Sequence, residues 1–244
     1  MKYTTLLFDA DGTLLDFHAT EKEALKNTFQ KHHIPFTHDI KNRYEEINTK
    51  LWKQFEDGII DKKTVVYTRF VQLFKEFDIQ EDGIKFEDEY QEELGNGHHL
   101  LPHALELIQH LSQYYDLYIV TNGVAKTQYN RLRKSGLDQY FKNIFVSEEI
   151  GYQKPMKEYF DYCFEHIENF DLKNTLLIGD SLSSDIQGGI NVGLDTCWLN
   201  LSKQKTTFFP TYTIYELWEL LNILGDDSNE WLYVKIFKRY YGYW

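Results

Sequence analysis

Cysteine is scarce in this chain, with Cys163 and Cys197 its only two. They are too few for a disulfide scaffold and do not sit at metal-ligand spacing. A reducing compartment, the cytoplasm, is therefore expected, and both thiols read as small buried apolar groups. Long apolar runs are missing as well; no uncharged stretch suffices to span a bilayer, which argues against stable membrane insertion. The first residues lack the basic region and small-residue cleavage site of a signal peptide. There is no long Lys/Arg run, and the formal net charge is −12. Affinity for a phosphate backbone depends on a basic surface, so no polynucleotide partner is expected. A small phosphorylated molecule is still acceptable if a metal ion and one or two lysines neutralise the site locally. Internal repeats, low-complexity linkers and Ser/Gly-rich boundaries are also absent. What remains is 244 residues with 42% hydrophobic and 26% charged side chains, enough for one large domain or for one carrying a smaller insertion.

The most informative stretch is Asp9-Ala10-Asp11-Gly12-Thr13, directly after the apolar run from Tyr3 to Phe8. Alternate side chains of a strand share a face, so Asp9 and Asp11 point the same way if the extended geometry persists across Ala10. Two anions held that close repel one another. A nearby cation or a shared proton is the usual remedy, and cation candidates occur much further along the chain. Gly12 lets the backbone turn where a side chain would obstruct it.

Residues from about 19 to 95 read as helices. Ile40, Tyr44, Ile47, Leu51 and Phe55 recur at helical spacing, as do Val66, Phe70, Leu73, Phe74 and Phe77. Asp57-Gly58 and Asp82-Gly83 read as turns. From Pro102 the pattern alternates between helix and strand, with strands expected at Leu117–Val120, Asn143–Ser147, Thr175–Ile178 and Thr196–Leu199 and a helix from about Ser183 to Val192. Such alternation predicts an α/β fold, a parallel sheet covered by helices on both faces, with successive strand ends along one edge where ligands bind. The expected division is an α/β core at 1–18 and 96–228, a helical cap at 19–95 inserted over the active edge, and an aromatic and basic tail at 229–244.

Polar groups fall at the expected strand ends: Thr121-Asn122-Gly123 after Val120, Lys154-Pro155 after the loop beyond Ser147, and Gly179-Asp180-Ser181 with Asp185 after Ile178. Together with Asp9-x-Asp11-Gly12-Thr13, their order and spacing resemble the four motifs of the haloacid dehalogenase (HAD) superfamily of phosphohydrolases, over nearly the whole chain. The resemblance implies a Rossmann-like core with an α-helical cap, and a role for each motif. Asp9 is the implied nucleophile, forming an aspartyl-phosphate. Asp11 is the implied acid for the leaving alcohol and then the base for water. Mg²⁺ is the implied cofactor, held by the Asp9 carboxylate, the Asp11 backbone carbonyl and the Asp180 carboxylate. Asp185 orients a metal-bound water or pairs with Lys154. Thr121, the backbone N–H of Asn122 and Lys154 bind the phosphate. Asp at position 11 separates the chain from the carbon–halogen-cleaving members, which lack the second acid because a halide needs no proton to leave.

Within the superfamily, Thr13-Leu14-Leu15-Asp16-Phe17 and the run from Gly179 to Trp198 look like the bacterial branch acting on nucleoside monophosphates, which implies pyrimidine or noncanonical nucleotides as substrates and a Mg²⁺-dependent 5′-nucleotidase. A sugar-phosphate or phosphoglycolate phosphatase is the nearest alternative, and a phosphomutase a more distant one. A non-catalytic binding or regulatory protein is the alternative of another class, opposed by the joint presence of Asp9, Asp11, Lys154 and Asp180. Taken singly, each motif reads as a solvated turn or a surface lysine, and Asp180 and Asp185 as helix-capping groups. Most of Trp52, Phe55, Tyr67 and Phe70 read as cap core. His18 reads as a linker residue and the pairs His32-His33 and His98-His99 as solvent-facing. Aromatic and basic residues alternate in the tail, from Trp231 to Trp244, which is expected to pack against the domain or a second subunit and leaves an oligomer open.

Overall fold

The computed structural model describes residues 2–225, so the tail at 229–244 lies outside the described residues. Six parallel strands form one sheet: β1 (Thr5–Phe8), β2 (Asp116–Thr121), β3 (Asn143–Val146), β4 (Thr175–Gly179), β5 (Asp195–Leu199) and β6 (Tyr212–Ile214), in the order β3-β2-β1-β4-β5-β6. β1 occupies the middle, with Phe8 in register with Ile119 on one side and Ile178 on the other. This register is why the polar groups following β1, β2 and β4 meet at one edge. The chain is α/β with helices on both faces, as the alternation of elements predicts.

Alternation along β1 sorts its side chains between two cores. Leu6 and Phe8 pack with Leu107, Ile119 and Ile178 on one face, and Leu7 packs with Val120, Phe145, Tyr159 and Phe160 on the other. Cys163 and Cys197 are buried free thiols, one in each core.

Between β1 and β2 run α1 (Phe17–Lys31), α2 (His38–Glu56), α3 (Lys62–Glu76), α4 (Gly83–Asn96) and α5 (Ala104–Leu111). The first four bury an aromatic cluster of their own, including Phe29, Tyr44, Phe70, Phe74, Phe86 and Tyr90. Each of the four starts on an oxygen side chain that accepts from a backbone N–H of the first turn: Asp16 from Ala19, Thr37 from Ile40, Asp61 from Thr64, and Asp82 from Ile84 and Lys85. Asp82-Gly83, expected as a turn, is thus the start of α4. Likewise α1 begins at Phe17 because Asp16 caps it. The segments entering and leaving the helical layer pair with each other: Asp16 N–H donates to His99 O, and Leu101 N–H to Leu14 O, both at 2.9 Å. None of the described helices is long and apolar enough to cross a membrane.

The remaining helices are α6 (Ala125–Ser135), α7 (Ser147–Ile150), α8 (Lys157–Glu165), α9 (Gln187–Val192) and α10 (Leu220–Leu224). Three details depart from expectation. Ser147 opens α7 and does not end β3. The helix expected from Ser183 begins with a π-helical turn at Leu182–Ile186 before α9. The three-residue β6 was not anticipated, being too short to carry a period. His32 is also not solvent-facing: its ring packs 4.9 Å from that of Phe86 and lies 3.3 Å from a Glu89 oxygen.

Candidate active site

Asp9 follows β1 directly, and its N–H donates to Ile178 O at 2.9 Å, so the strand pairing carries this residue to the edge of the sheet. Its carboxylate is buried and accepts from Lys154 Nζ at 2.6 Å. Lys154 is 1% exposed and donates also to Asp185 Oδ1 and Val120 O, each at 2.7 Å. The Lys154 backbone is clamped in turn: Asn122 Oδ1 accepts from its N–H at 3.0 Å, and Asn122 Nδ2 donates to its carbonyl at 2.9 Å. Asn122 therefore braces the lysine with its side chain, a role the sequence did not suggest.

Asp180 comes from the end of β4. Trp198 Nε1 holds its carbonyl at 2.8 Å, and the Thr13 hydroxyl stands 3.4 Å from both Asp9 Oδ2 and Asp180 Oδ1. Two glycines permit this approach. Gly12 adopts φ +77, and a side chain there would collide with the Asp180 carboxylate; one at Gly179 would collide with Asp185. Asp185 is wholly buried, and its second oxygen accepts from Ser181 N–H at 3.1 Å. Pairing with Lys154 is thus the arrangement seen for Asp185.

Asp11 faces the same cavity, of 260 Å³, with its own partners. Gln128 Nε2 donates to its Oδ2 at 2.9 Å and Arg131 Nη1 to its Oδ1. Gln128 also donates to the Thr121 hydroxyl at 2.8 Å, tying the group after β2 to the group after β1. The two neighbouring carboxylates thus do not share one cation: Asp9 has Lys154 and Asp11 has Arg131.

The charges at this edge do not cancel. Asp9, Asp11, Asp180 and Asp185 face Lys154 and Arg131, and oxygens of Asp9, Asp180 and Asp185 all lie within 4.8 Å of one another. Burial pushes the Asp9 carboxyl well above its ordinary pKa; Lys154 opposes the shift and Asp185, Asp180 and Asp11 add to it. Burial, followed by the charge of Asp185, raises Asp180 to about 7. Burial works against the Lys154 ammonium, yet Asp185 and Asp9 outweigh it and strengthen its hold on the proton. A cluster of hard oxygen donors with surplus negative charge fits Mg²⁺.

The helical layer closes over this edge. Lys62 at the start of α3 donates to Gly123 O and Ser147 Oγ, both at 2.7 Å, Gln153 Nε2 donates to Phe55 O at 2.7 Å, and Ser183 Oγ donates to Glu56 Oε2 at 2.7 Å. Burial lowers the Lys62 ammonium to about 8 and raises Glu56. Phe17, Asn48, Trp52 and Arg69 line the cavity from above.

The sequence pattern of the haloacid dehalogenase-like hydrolases matches residues 3–193. The chain belongs to this family. Among HAD-like relatives it is 52% identical to the HAD-hydrolase YfnB of Bacillus subtilis (strain 168), across 93% of this chain and 98% of that one. It is 40% identical to the pyrimidine 5′-nucleotidase PynA of Streptococcus pneumoniae (94% and 98% covered). With the pyrimidine 5′-nucleotidase YjjG of Escherichia coli it shares 33% (92% and 99% covered). The crystal structure of YfnB bound to magnesium matches with a TM-score of 0.89, covering 92% of this chain and 100% of that one.

In this HAD-like hydrolase the fold brings Asp9, Asp11, Thr121, Asn122, Lys154, Asp180 and Asp185 to one cavity. Sequence reasoning missed Gln128, Arg131 and Lys62. Gln128 and Arg131 stand one helical turn apart directly after Thr121-Asn122-Gly123, and that spacing was the available signal. Phe55 and Phe70 are core, as expected, whereas Trp52 lines the cavity and Tyr67 is exposed.

Proposed function

We propose that the protein is a Mg²⁺-dependent phosphomonoesterase of the cytoplasm, which its two free thiols suit, and specifically a 5′-nucleotidase for pyrimidine or noncanonical nucleoside monophosphates. The observation that carries this reading is the pair of carboxylates on one cavity with separate cations, Asp9 on Lys154 and Asp11 on Arg131. One is buried beside a lysine at the end of the central strand, suited to attack phosphorus. The other is held between a guanidinium and an amide where a leaving oxygen would emerge. The relationship to PynA and YjjG supports the substrate class.

An Asp9 carboxylate oxygen attacks phosphorus in line, and the ester P–O bond breaks as Asp11 delivers its proton to the departing alcohol. Asp11, now a base, takes a proton from water, whose oxygen attacks the aspartyl-phosphate and releases inorganic phosphate and free Asp9. The Lys154 ammonium offsets the charge of Asp9 and of the phosphoryl oxygens, and the Thr121 hydroxyl and Asn122 N–H orient those oxygens. Mg²⁺, held by the Asp9 and Asp180 carboxylates and the Asp11 carbonyl, would supply further neutralisation of the phosphoryl group. The helical layer, fixed by Lys62, Gln153 and Ser183, excludes bulk water from the cavity.

Phosphate release with Mg²⁺ from ribo- and deoxyribonucleoside monophosphates, phosphoglycolate and sugar phosphates tests the proposal, with Asp9→Asn run beside the native chain. Turnover of pyrimidine nucleotides that vanishes in the variant is the expected result. A preference for phosphoglycolate or a sugar phosphate would overturn the substrate class, and equal activity in Asp9→Asn would overturn the nucleophile. Inactivity toward every ester would favour a binding protein.

A further inference from the structure

Helix α2 carries two stripes. Ile40, Tyr44, Ile47, Leu51 and Phe55 are buried in the core of the cap. Beside them Asn48, Trp52 and Glu56, spaced four apart on one face, are half-buried and line the cavity. Glu56 marks the reacting end of this second stripe, since it accepts from Ser183 Oγ at 2.7 Å and its carboxyl feels the charges of Asp185 and Lys154. Asn48 is eight residues away along the same helix, about 12 Å at the rise of an α-helix. Helix α1 leads to the same place from the side of Asp11. Arg131, which holds Asp11, has its guanidinium carbon 5.5 Å from the Phe17 ring centroid, and Glu21, one turn beyond Phe17, has an oxygen 3.5 Å from Asn48 Nδ2. Asn48 is therefore the wall of the cavity away from the strand ends, at roughly the reach from phosphorus to the base of an extended nucleoside 5′-phosphate.

The chemistry of that wall is set by Arg69. A guanidinium only donates, so its Nη1 bond to Asn48 Oδ1 at 2.8 Å fixes which end of the amide is which. The end left over is the Nδ2 group, with two protons and only the distant Glu21 oxygen as partner. Gln91, another cap amide on the cavity, shows the contrast: its Oε1 accepts from Thr127 Oγ1 at 2.7 Å and its Nε2 donates to Glu87 Oε1 at 2.8 Å, so both ends are spent on short bonds. Resting on the nucleotidase reading, we infer that α2 reads the base of the leaving nucleoside: Trp52 packs its indole against the base, and Asn48 Nδ2 donates to a pyrimidine carbonyl oxygen. Every pyrimidine base has such an oxygen next to its glycosidic nitrogen, and adenine has none. A phosphate ester too short to reach α2, such as phosphoglycolate, leaves the stripe unused.

The test uses the full chain with Mg²⁺ and compares kcat and KM for thymidine 5′-phosphate, 2′-deoxyadenosine 5′-phosphate and 2-deoxyribose 5-phosphate, which has the same pentose and no base. It runs the native protein beside Asn48→Asp, Trp52→Ala and Trp52→Phe. Asn48→Asp keeps the oxygen that Arg69 holds and replaces the donor by an acceptor. The native chain is expected to favour thymidine 5′-phosphate by about tenfold or more in kcat/KM over the other two, since a site built to bond a polar group rejects the analogue lacking it. Asn48→Asp is expected to lose about tenfold on thymidine 5′-phosphate, mostly through KM, and Trp52→Ala a similar factor, the usual worth of an aromatic ring against a base. Both variants should lose less on 2-deoxyribose 5-phosphate, and Trp52→Phe should retain part of the preference. A native chain indifferent to the base overturns the inference, as does an equal loss on all three substrates in the variants, which would mark a structural role for the stripe. Should Asn48→Asp fail to fold, the two Trp52 variants decide by the same comparison. Turnover of 2-deoxyribose 5-phosphate with none of either nucleotide defeats the nucleotidase reading itself, and the inference with it.

Discussion

The cap helices and the sheet edge each bury a charged network against the same cavity, and the two are completed differently. In the cap, the Arg69 fork meets both oxygens of Glu87, Asn48 takes the third nitrogen, and Gln91 Nε2 donates to Glu87 at 2.8 Å. At the sheet edge, Lys154 is shared between Asp9 and Asp185, Asp180 forms no ion pair among the described residues, and Arg131 keeps two unused donors. Burial raises both Glu87 and Asp180, but Arg69 pulls Glu87 back, whereas Asp185 pushes Asp180 further up. A closed network holds helices together. An open one, with its electrostatic cost unrelieved, is arranged for something that binds.

Breaking each network has a different readout. At the sheet edge, Asp9→Asn is expected to cost ~10³-fold or more in turnover while leaving the melting temperature unchanged or higher, because it removes the proposed nucleophile and relieves repulsion. In the cap the order is reversed. Arg69→Met strands a buried Glu87 and is expected to cost about 3–5 kcal/mol in urea unfolding, whereas the double change Arg69→Met with Glu87→Leu should return most of that loss. A double variant as unstable as the single one would show that the pair does more than neutralise itself.

A smaller effect probes where the two regions touch. Lys62→Met removes the ammonium that joins α3 to Gly123 and Ser147, and a charge-assisted bond worth about 1.5 kcal/mol predicts about a tenfold fall in kcat/KM with little change in stability. Unchanged kinetics would mean that the other contacts, those of Gln153, Ser183 and Thr127 among them, suffice to close the helices over the site. The smallest expected effect concerns Asp180. Its ordinary pKa is 3.8 and the metal-free fold raises it to about 7, so across that window the folded protein holds a proton that the unfolded chain has released. Without Mg²⁺, stability should therefore fall as pH rises from about 4 to 7, relative to Asp180→Asn, by on the order of a few degrees in Tm. Excess Mg²⁺ should flatten the difference. A slope unaffected by Mg²⁺ would place the ion elsewhere.

Much of this was legible in the chain. Continuous apolar runs such as Leu176-Leu177-Ile178 and helical stripes such as Ile40, Tyr44, Ile47, Leu51 and Phe55 identify their elements because burial on two faces or on one stripe leaves a periodic trace. β6 left none because three residues carry no period, and the π-helical turn at Leu182–Ile186, which contains the wholly buried Asp185, leaves no period of its own. His32 and Tyr67 depart from expectation for one reason: exposure depends on which neighbouring helix covers a position, and the stripe of a single helix does not record it. Arg131 was missed because its partner Asp11 is 120 residues away on another element.

The sequence by itself determined that an acidic pair, a Thr-Asn-Gly turn, a lysine and a second acidic pair follow strands in this order. Parallel strands joined by right-handed crossovers place their ends on one edge, so that order alone puts the groups together. The tertiary structure decided which cation neutralises which carboxylate, that Asn122 braces Lys154 through its side chain, and that Lys62 spans the gap from cap to sheet. It did so because hydrogen bonds require groups to meet within about 3 Å, and only the packing of elements distant in the chain brings them that close.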